Sequence, residues 1–299
     1  MNTIISNQYM MMLSDIYPFN MFVPERMGKT LFPPHWHDEC IEIILFVEGN
    51  AELHIGGESY LATTGDLFLI GEGLIHSGYI VDEMPRYYTI LLDRHRLVGS
   101  DLNSVEYGAL LTGKLNLPTL VQSNHPHYDK LLQIVNTVIY EFLHRDLGFE
   151  AAVKSNLQIL LILFSRLFRS STDDNALKQE AYRRKVERLK DVISFVEHNY
   201  QDKITVSQAA EIASISPYHF CRVFKDAVGR TFNEYVQLYR IGRAEKLIKE
   251  TDLPITRVAE LAGFGTIHYL DELFKRHRGC TPLQFRKRSL SNRKPDGAI

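Results

Sequence analysis

Four side chains in the N-terminal third of the chain have the types and spacing of a metal or polar-ligand site. His35 and His37 lie in the run HWHDECIEIILFVEG, Glu42 follows in the same run, and His76 comes after a series of glycine turns. Imidazole nitrogens with a carboxylate suit non-haem iron, or zinc with a water. The same groups can line a pocket for an organic ligand, or simply be polar residues at a barrel mouth. On a strand His35 and His37 face one way and Trp36 the other. Glu42 has the opposite parity and needs a bulge or bend to join them, whereas Glu39 has the right parity at an unexpected spacing.

A second chemistry lies near the C-terminus, in a repeat. Residues 206–231 read VSQAAEIASISPYHFCRVFKDAVGRT and residues 255–281 read ITRVAELAGFGTIHYLDELFKRHRGCT. Ala210, Glu211, Ile212 and Ala213 match Ala259, Glu260, Leu261 and Ala262. After a one-residue insertion Phe224, Lys225, Gly229 and Thr231 match Phe274, Lys275, Gly279 and Thr281. Each copy predicts a small-residue helix, a turn (214–216, then 263–265) and a second helix, as in a helix-turn-helix DNA reader. Thr205 and the Pro254-Ile255-Thr256 run supply helix starts. Phe220, Val223 and Phe224, then Tyr269, Leu270, Leu273 and Phe274, are the expected core face. The opposite face carries polar groups.

These residues need elements to hold them. Residues 41–47, 51–55, 67–70 and 87–92 are β-rich runs separated by glycine turns, which predicts a small antiparallel barrel or sandwich. The period then changes, and helices are expected over 128–144 and 149–168. They either cover the barrel or present a dimer contact. Polar residues 170–175 read as a linker, followed by a basic helix beginning near Arg183. Of 299 residues, 34 are Lys or Arg and 36 are Asp or Glu. From Tyr182 onward there are 22 basic and 14 acidic residues, a net of +8, which leaves −10 for the rest. An acidic part joined to a basic part fits a sensor attached to a nucleic-acid binder. Cys40, Cys221 and Cys280 are scattered, without metal-ligand spacing, as in a reducing compartment. The N-terminus lacks a secretory pattern, and the apolar run around 157–168 is too short for a bilayer, so a cytoplasmic protein without membrane partners is expected.

The segment from about Lys190 to Arg288 resembles the DNA-binding domain of AraC/XylS regulators. Arg240-Ile241 and Arg243-Ala244, the run 255–264, Phe274-Lys275, Gly279, Thr281-Pro282 and Phe285-Arg286-Lys287 carry the match. The resemblance implies two helix-turn-helix units joined by a long helix, each with a recognition helix for the major groove of double-stranded DNA. It implies base-facing positions at Tyr218, Cys221 and Arg222, and at Thr266, Ile267, His268, Asp271 and Glu272, while the polar faces of the same helices add His219, Lys225 and Lys275 as candidate DNA contacts. Glu272 stands where arginine is common in the family, so the first unit should carry more affinity. HWHDECIEIILFVEG with Gly65, Gly73 and His76 resembles the two cupin motifs, although Gly71 replaces the usual proline.

The expected fold class is α+β multidomain: a cupin-like β-barrel with flanking helices, then an all-α domain with two helix-turn-helix units. The expected domains are 1–100 (effector-sensing barrel), 101–170 (helical, dimerising), 171–183 (linker) and 184–289 (DNA-binding). The implied function is an effector-controlled regulator, more often an activator, with His35, His37, Glu42 and His76 lining the effector site. Expected partners are DNA, a small molecule such as a sugar, a second copy of the chain, and RNA polymerase. No cofactor is expected; a divalent metal on the same four residues is the exception left open. The alternative is a cupin metalloenzyme of the iron dioxygenase type fused to a DNA-binding domain.

Overall fold

Hydrophobic alternation in the N-terminal half and helical periodicity in the C-terminal half produce two compact units, divided between Arg183 and Arg184. The computed structural model describes residues 19–22, 30–94, 97, 115, 117–168 and 174–291, with side chains described over 30–168 and 187–288 within those ranges. The strands are β1 (Phe19–Phe22), β2 (Thr30–His35), β3 (Cys40–Glu48), β4 (Ala51–Ile55), β5 (Glu58–Ala62), β6 (Leu67–Ile70), β7 (His76–Ile80), β8 (Arg86–Asp93) and β9 (Leu120–Val121). One sheet runs β1-β8-β3-β6-β9 and the other β2-β7-β4-β5. Strand β2 is counted with the N-terminal unit because it pairs with β7.

The pleat of β3 sorts its side chains into two layers. Ile41, Ile43 and Leu45 join Leu67, Leu69, Ile90 and Leu92 in a core closed by helices α1 (Tyr128–His144) and α2 (Phe149–Leu167). Leu131, Val135 and Val138 of α1, with Leu157, Leu160 and Phe164 of α2, are buried in that core. The helices therefore cover the five-stranded sheet. The alternate β3 residues, Glu42, Ile44 and Phe46, are also buried. Phe46 meets Phe68 and Tyr87, and Phe68 meets Tyr60 of the other sheet, at ring-centre distances of 6.0, 5.4 and 5.8 Å. The two sheets thus face each other across an aromatic interior. Glu42 is a carboxylate in that apolar row, with Ile70 and Leu91 as its ladder neighbours.

The structure corrects two boundaries. Strand β9, beyond residue 100, pairs with β6, so the sheet draws on the segment assigned to helices alone. Helix α3 (Asp174–Asn199) begins well before Arg183, so residues 174–183 of the expected linker are helical. Ala176, Leu177, Lys178, Gln179 and Glu180 are strong helix formers, with no Gly or Pro among them, which outweighs the polar look of 170–175. Residues 169–173 lie outside the described residues.

The C-terminal unit continues with α4 (Val206–Ile212), α5 (Pro217–Val228), α6 (Phe232–Glu250), α7 (Ile255–Leu261), α8 (Ile267–Arg278) and α9 (Pro282–Ser291). Capping boxes start α4 (Thr205 with Gln208) and α6 (Thr231 with Glu234). Helix α6 is the shared spine. Phe232 and Tyr235 pack with Phe220 and Phe224 of the first repeat, while Ile241, Ala244 and Ile248 pack with Leu270, Leu273 and Phe274 of the second. Polar locks add to this. Arg278 Nε donates to Glu245 Oε2 at 2.7 Å with both side chains buried. Arg240 donates at 2.7 Å to the carbonyls of Tyr200, at the end of α3, and Asp202, in the turn that follows.

Burial pushes the Glu197 carboxyl on α3 up from its ordinary 4.5 to about 7, against a smaller opposing pull from His198. Such a group contributes stability fully present below pH 4.5 and lost as pH rises through about 7. Glu197→Gln should therefore raise the thermal midpoint at pH 8 and change it little at pH 5. The gain should be on the order of 1 kcal/mol, discounted because the group is partly exposed. Melting curves at the two pH values check this.

Candidate functional site

In the N-terminal unit both sheets contribute to one polar cluster. His35 closes β2, His37 lies just beyond it, Glu42 is on β3 and His76 opens β7. Strand β2 stops at His35 and the chain bends through 36–39, so strand parity no longer applies between His37 and Glu42. The bend that the sequence required is present, and Glu42 joins the histidines. Glu42 Oε2 is 2.6 Å from His76 Nε2, 3.3 Å from His37 Nε2 and 3.8 Å from His35 Nε2. His76 Nε2 lies 3.1 Å from His35 Nε2.

The surroundings define the chemistry. The Leu74 carbonyl can only accept, so His76 Nδ1, 2.9 Å away, carries the proton in that bond. A neutral His76 then turns a bare Nε2 toward Glu42, so an N–H for Oε2 comes from His37 Nε2, 3.3 Å away, or from His76 when its ring carries a second proton. Burial alone would raise the Glu42 carboxyl. The positive charge and N–H bonds that His76 and His37 supply when protonated outweigh it and hold Glu42 well below the usual carboxylate range. The site is thus a buried carboxylate ringed by three imidazoles, which can themselves supply the positive charge and N–H bonds that it needs. Side-chain exposure is 17% for His35 and 20% for His37, against 5% for Glu42 and 1% for His76, so the histidine pair forms the open side.

The loop between β6 and β7 holds this arrangement. The Gly73 N–H donates to the His37 carbonyl at 2.7 Å, and Arg94 grips Glu72 through two bonds of 2.6 and 2.7 Å. Gly71, where cupins usually carry proline, belongs to this turn: its carbonyl accepts from Leu74 N–H at 3.3 Å. Glu72 and Arg94 were not apparent as site-supporting residues, because their pairing spans 22 positions and depends on the barrel closing. Glu39 is not part of the cluster that can hold an ion.

In the C-terminal unit each repeat presents one exposed helix face. Ser216 caps α5 by accepting from His219 N–H, and Thr266 caps α8 by accepting from Tyr269 N–H. On α5, Tyr218, Cys221, Arg222 and Lys225 are exposed and His219 is half-buried. On α8, Ile267, His268, Glu272 and Lys275 are exposed, together with the cap Thr266, while Asp271 is half-buried. Tyr269 departs from the expected core role. It sits on the rim, 38% exposed, with its hydroxyl accepting from Gln237 at 2.8 Å. The one-residue insertion places Tyr269 opposite His219 of the first copy, outside the buried Leu270, Leu273 and Phe274 row.

One basic residue of this face escaped the sequence reading. Arg276 is exposed and donates to Glu272 at 2.7 Å, one turn earlier. The acid that departs from the family pattern is therefore partly neutralised within its own helix. The i,i+4 spacing was the available signal.

Comparisons with known proteins agree with both halves. Residues 26–160 match the family described as AraC-like ligand binding domain, and residues 209–288 match the family described as helix-turn-helix domain. The chain belongs to the AraC family of transcriptional regulators. The HTH-type regulator YdeC of Bacillus subtilis is 25% identical to this regulator, covering 85% of this chain and 86% of the relative. The HTH-type activator RhaR of an Enterobacter species is 26% identical, with coverage of 89% and 91%. The crystal structure of ToxT from Vibrio cholerae covers 92% of this chain and 98% of its own, at 13% identity and a TM-score of 0.42. No described helix of this regulator is long and apolar enough to cross a membrane.

Proposed function

We propose that this regulator binds operator DNA through α5 and α8 and is controlled by a small molecule held at His35, His37, Glu42 and His76. The observation that carries the reading is the pairing of two capped, solvent-exposed recognition helices with a separate enclosed polar cluster. Base contacts are assigned first to Arg222, because a guanidinium can bridge guanine O6 and N7. Tyr218, His219, Cys221 and Lys225 flank it, and Thr266, Ile267, His268, Glu272 and Lys275 form the weaker second reader. Activation through RNA polymerase is the expected direction, in keeping with the activator name carried by RhaR. The regulator acts as a homodimer, whose contact we assign to the outer side of α1, where Tyr140 and Leu143 are exposed. The effector shifts the dimer between arrangements only as far as its affinity for them differs. The regulator names of YdeC and RhaR favour this reading over an enzymatic one.

A thermal-shift screen of the full chain against sugars and related metabolites identifies binders, since a ligand of the folded state alone raises its stability. Binders then enter gel-shift assays on upstream DNA fragments. The expected result is a sequence-preferring complex whose affinity or spacing preference changes with the binder. Equal affinity for all fragments, with and without every binder, would defeat the proposal.

A further inference from the structure

We infer that the β4–β5 hairpin carries an activated serine, Ser59, which accepts an acyl group from an uncharged activated ester or thioester. His54 is its general base, and Glu52 is the positioning residue that holds the imidazole. Gly56 and Gly57, both at positive φ, form a two-residue turn that fixes the register and sets His54 directly opposite Ser59. Glu52 lies two residues before His54 and so shares its face of the sheet. Leu53 and Tyr60 take the other face, where Tyr60 meets Phe68 in the barrel interior. On β7, His76 pairs with Ile55 and Ser77 pairs with His54. The trio therefore lies on the opposite face of the sheet from the cluster of His35, His37, Glu42 and His76, and the two sites are separate.

His54 Nε2 is 3.0 Å from Glu52 Oε1, and His54 Nδ1 is 3.0 Å from Ser59 Oγ. A carboxylate only accepts, so Nε2 carries the proton in the first bond. The neutral ring then turns a bare Nδ1 toward Ser59, whose hydroxyl donates to it. This is the hydroxyl–imidazole–carboxylate relay that activates a serine, with the two ring nitrogens in exchanged places. His54 is buried, with its ring edge-on to Tyr79 at 5.9 Å between centres, whereas Ser59 is exposed. The base is thus held in place and the nucleophile is open to a reagent. Residues 51–62 include Glu52 and Glu58 and no Lys or Arg, a local charge that disfavours anionic donors such as acyl phosphates. In the step itself Ser59 Oγ bonds to the acyl carbon, and the bond from that carbon to the leaving thiolate or phenolate breaks. The Ser59 proton passes through His54 Nδ1 to the leaving group. The product is an oxyester, whose alkoxide leaves less readily than a thiolate or phenolate, so acylated Ser59 accumulates.

The full chain is incubated with p-nitrophenyl acetate and, separately, with acetyl phosphate, and the acetylated residue is located by peptide mass spectrometry. The expected result is a stoichiometric burst of p-nitrophenolate, acetylation of Ser59, and slower reaction with acetyl phosphate. Ser59→Ala should remove the mark. His54→Gln keeps a polar side chain of similar size but supplies no base, and should slow acetylation of Ser59 by about 100-fold or more. Glu52→Gln, at a partly exposed position, should also slow it and move the pH profile of the rate, because a neutral amide no longer selects the tautomer. A contact that only braced the hairpin would leave that profile unchanged. Circular dichroism confirms that the variants fold. Folded wild-type protein without acetyl on Ser59 overturns the proposal, as does equal acetylation of Ser59 in His54→Gln. Faster reaction with acetyl phosphate overturns the assigned class of donor. The inference stands on the hairpin alone and is independent of how the chain reads DNA.

Discussion

Arg222→Ala should weaken specific operator binding by roughly 5- to 150-fold, the loss of about 1–3 kcal/mol expected for one bidentate base contact. Arg222 is exposed on α5, one turn from both Tyr218 and Lys225. Glu272→Ala should leave affinity unchanged or raise it, because it removes a carboxylate and frees Arg276 from their 2.7 Å pair to meet a phosphate. Gel shifts over a salt series check both variants. Loss of a base contact lowers the ratio of specific to non-specific binding, whereas loss of a phosphate contact mainly reduces the salt slope by about one. An Arg222→Ala protein that binds its operator normally would sink the assignment, and a fall in binding for Glu272→Ala would show that the acid reads a base.

Gly263→Ala should destabilise the C-terminal unit by about 2–4 kcal/mol. Two costs combine. Gly263 has φ +80°, the left-handed region, where a side chain is strained. A Cβ there would also overlap the Tyr200 carbonyl oxygen and stand 2.9 Å from Gln201 Cα. That carbonyl is the one Arg240 holds, so the backbone cannot yield without disturbing the end of α3. The first repeat supplies the control. Ser214 occupies the matching place with φ 53° and is exposed, so Ser214→Gly should be neutral or mildly stabilising. Urea unfolding of the full chain checks the pair; a loss below about 1 kcal/mol for Gly263→Ala would mean the turn relaxes freely.

Strands β4 and β6 lie where alternation and glycine turns put them, and β3 and β8 extend only slightly beyond their runs. Strand β7 was not legible, since HSGYI mixes a histidine, a serine and a glycine and has weak strand propensity. It is buried because β4 and β2 pair with it on either side, a fact of topology. Strand β5 was missed for the opposite reason. It is an exposed edge, and its ESYLA sequence carries little alternation.

The sequence by itself determined the two-part division of charge, the duplicated helix-turn-helix, the Thr205 helix cap and the four residues of the polar cluster. These are local matters of side-chain type, spacing and period, and they survive any arrangement of neighbours. Only the tertiary structure decided that Glu42 reaches His35, His37 and His76. The bend at 36–39 resets the parity, the opposing sheet brings in His76, and the Arg94–Glu72 clamp secures the loop. The same holds for Arg240 at the end of α3 and for Gly263 against Tyr200, whose partners lie 40 and 63 residues away. Contacts of that range depend on how the elements pack, and no short-range pattern in the chain encodes them.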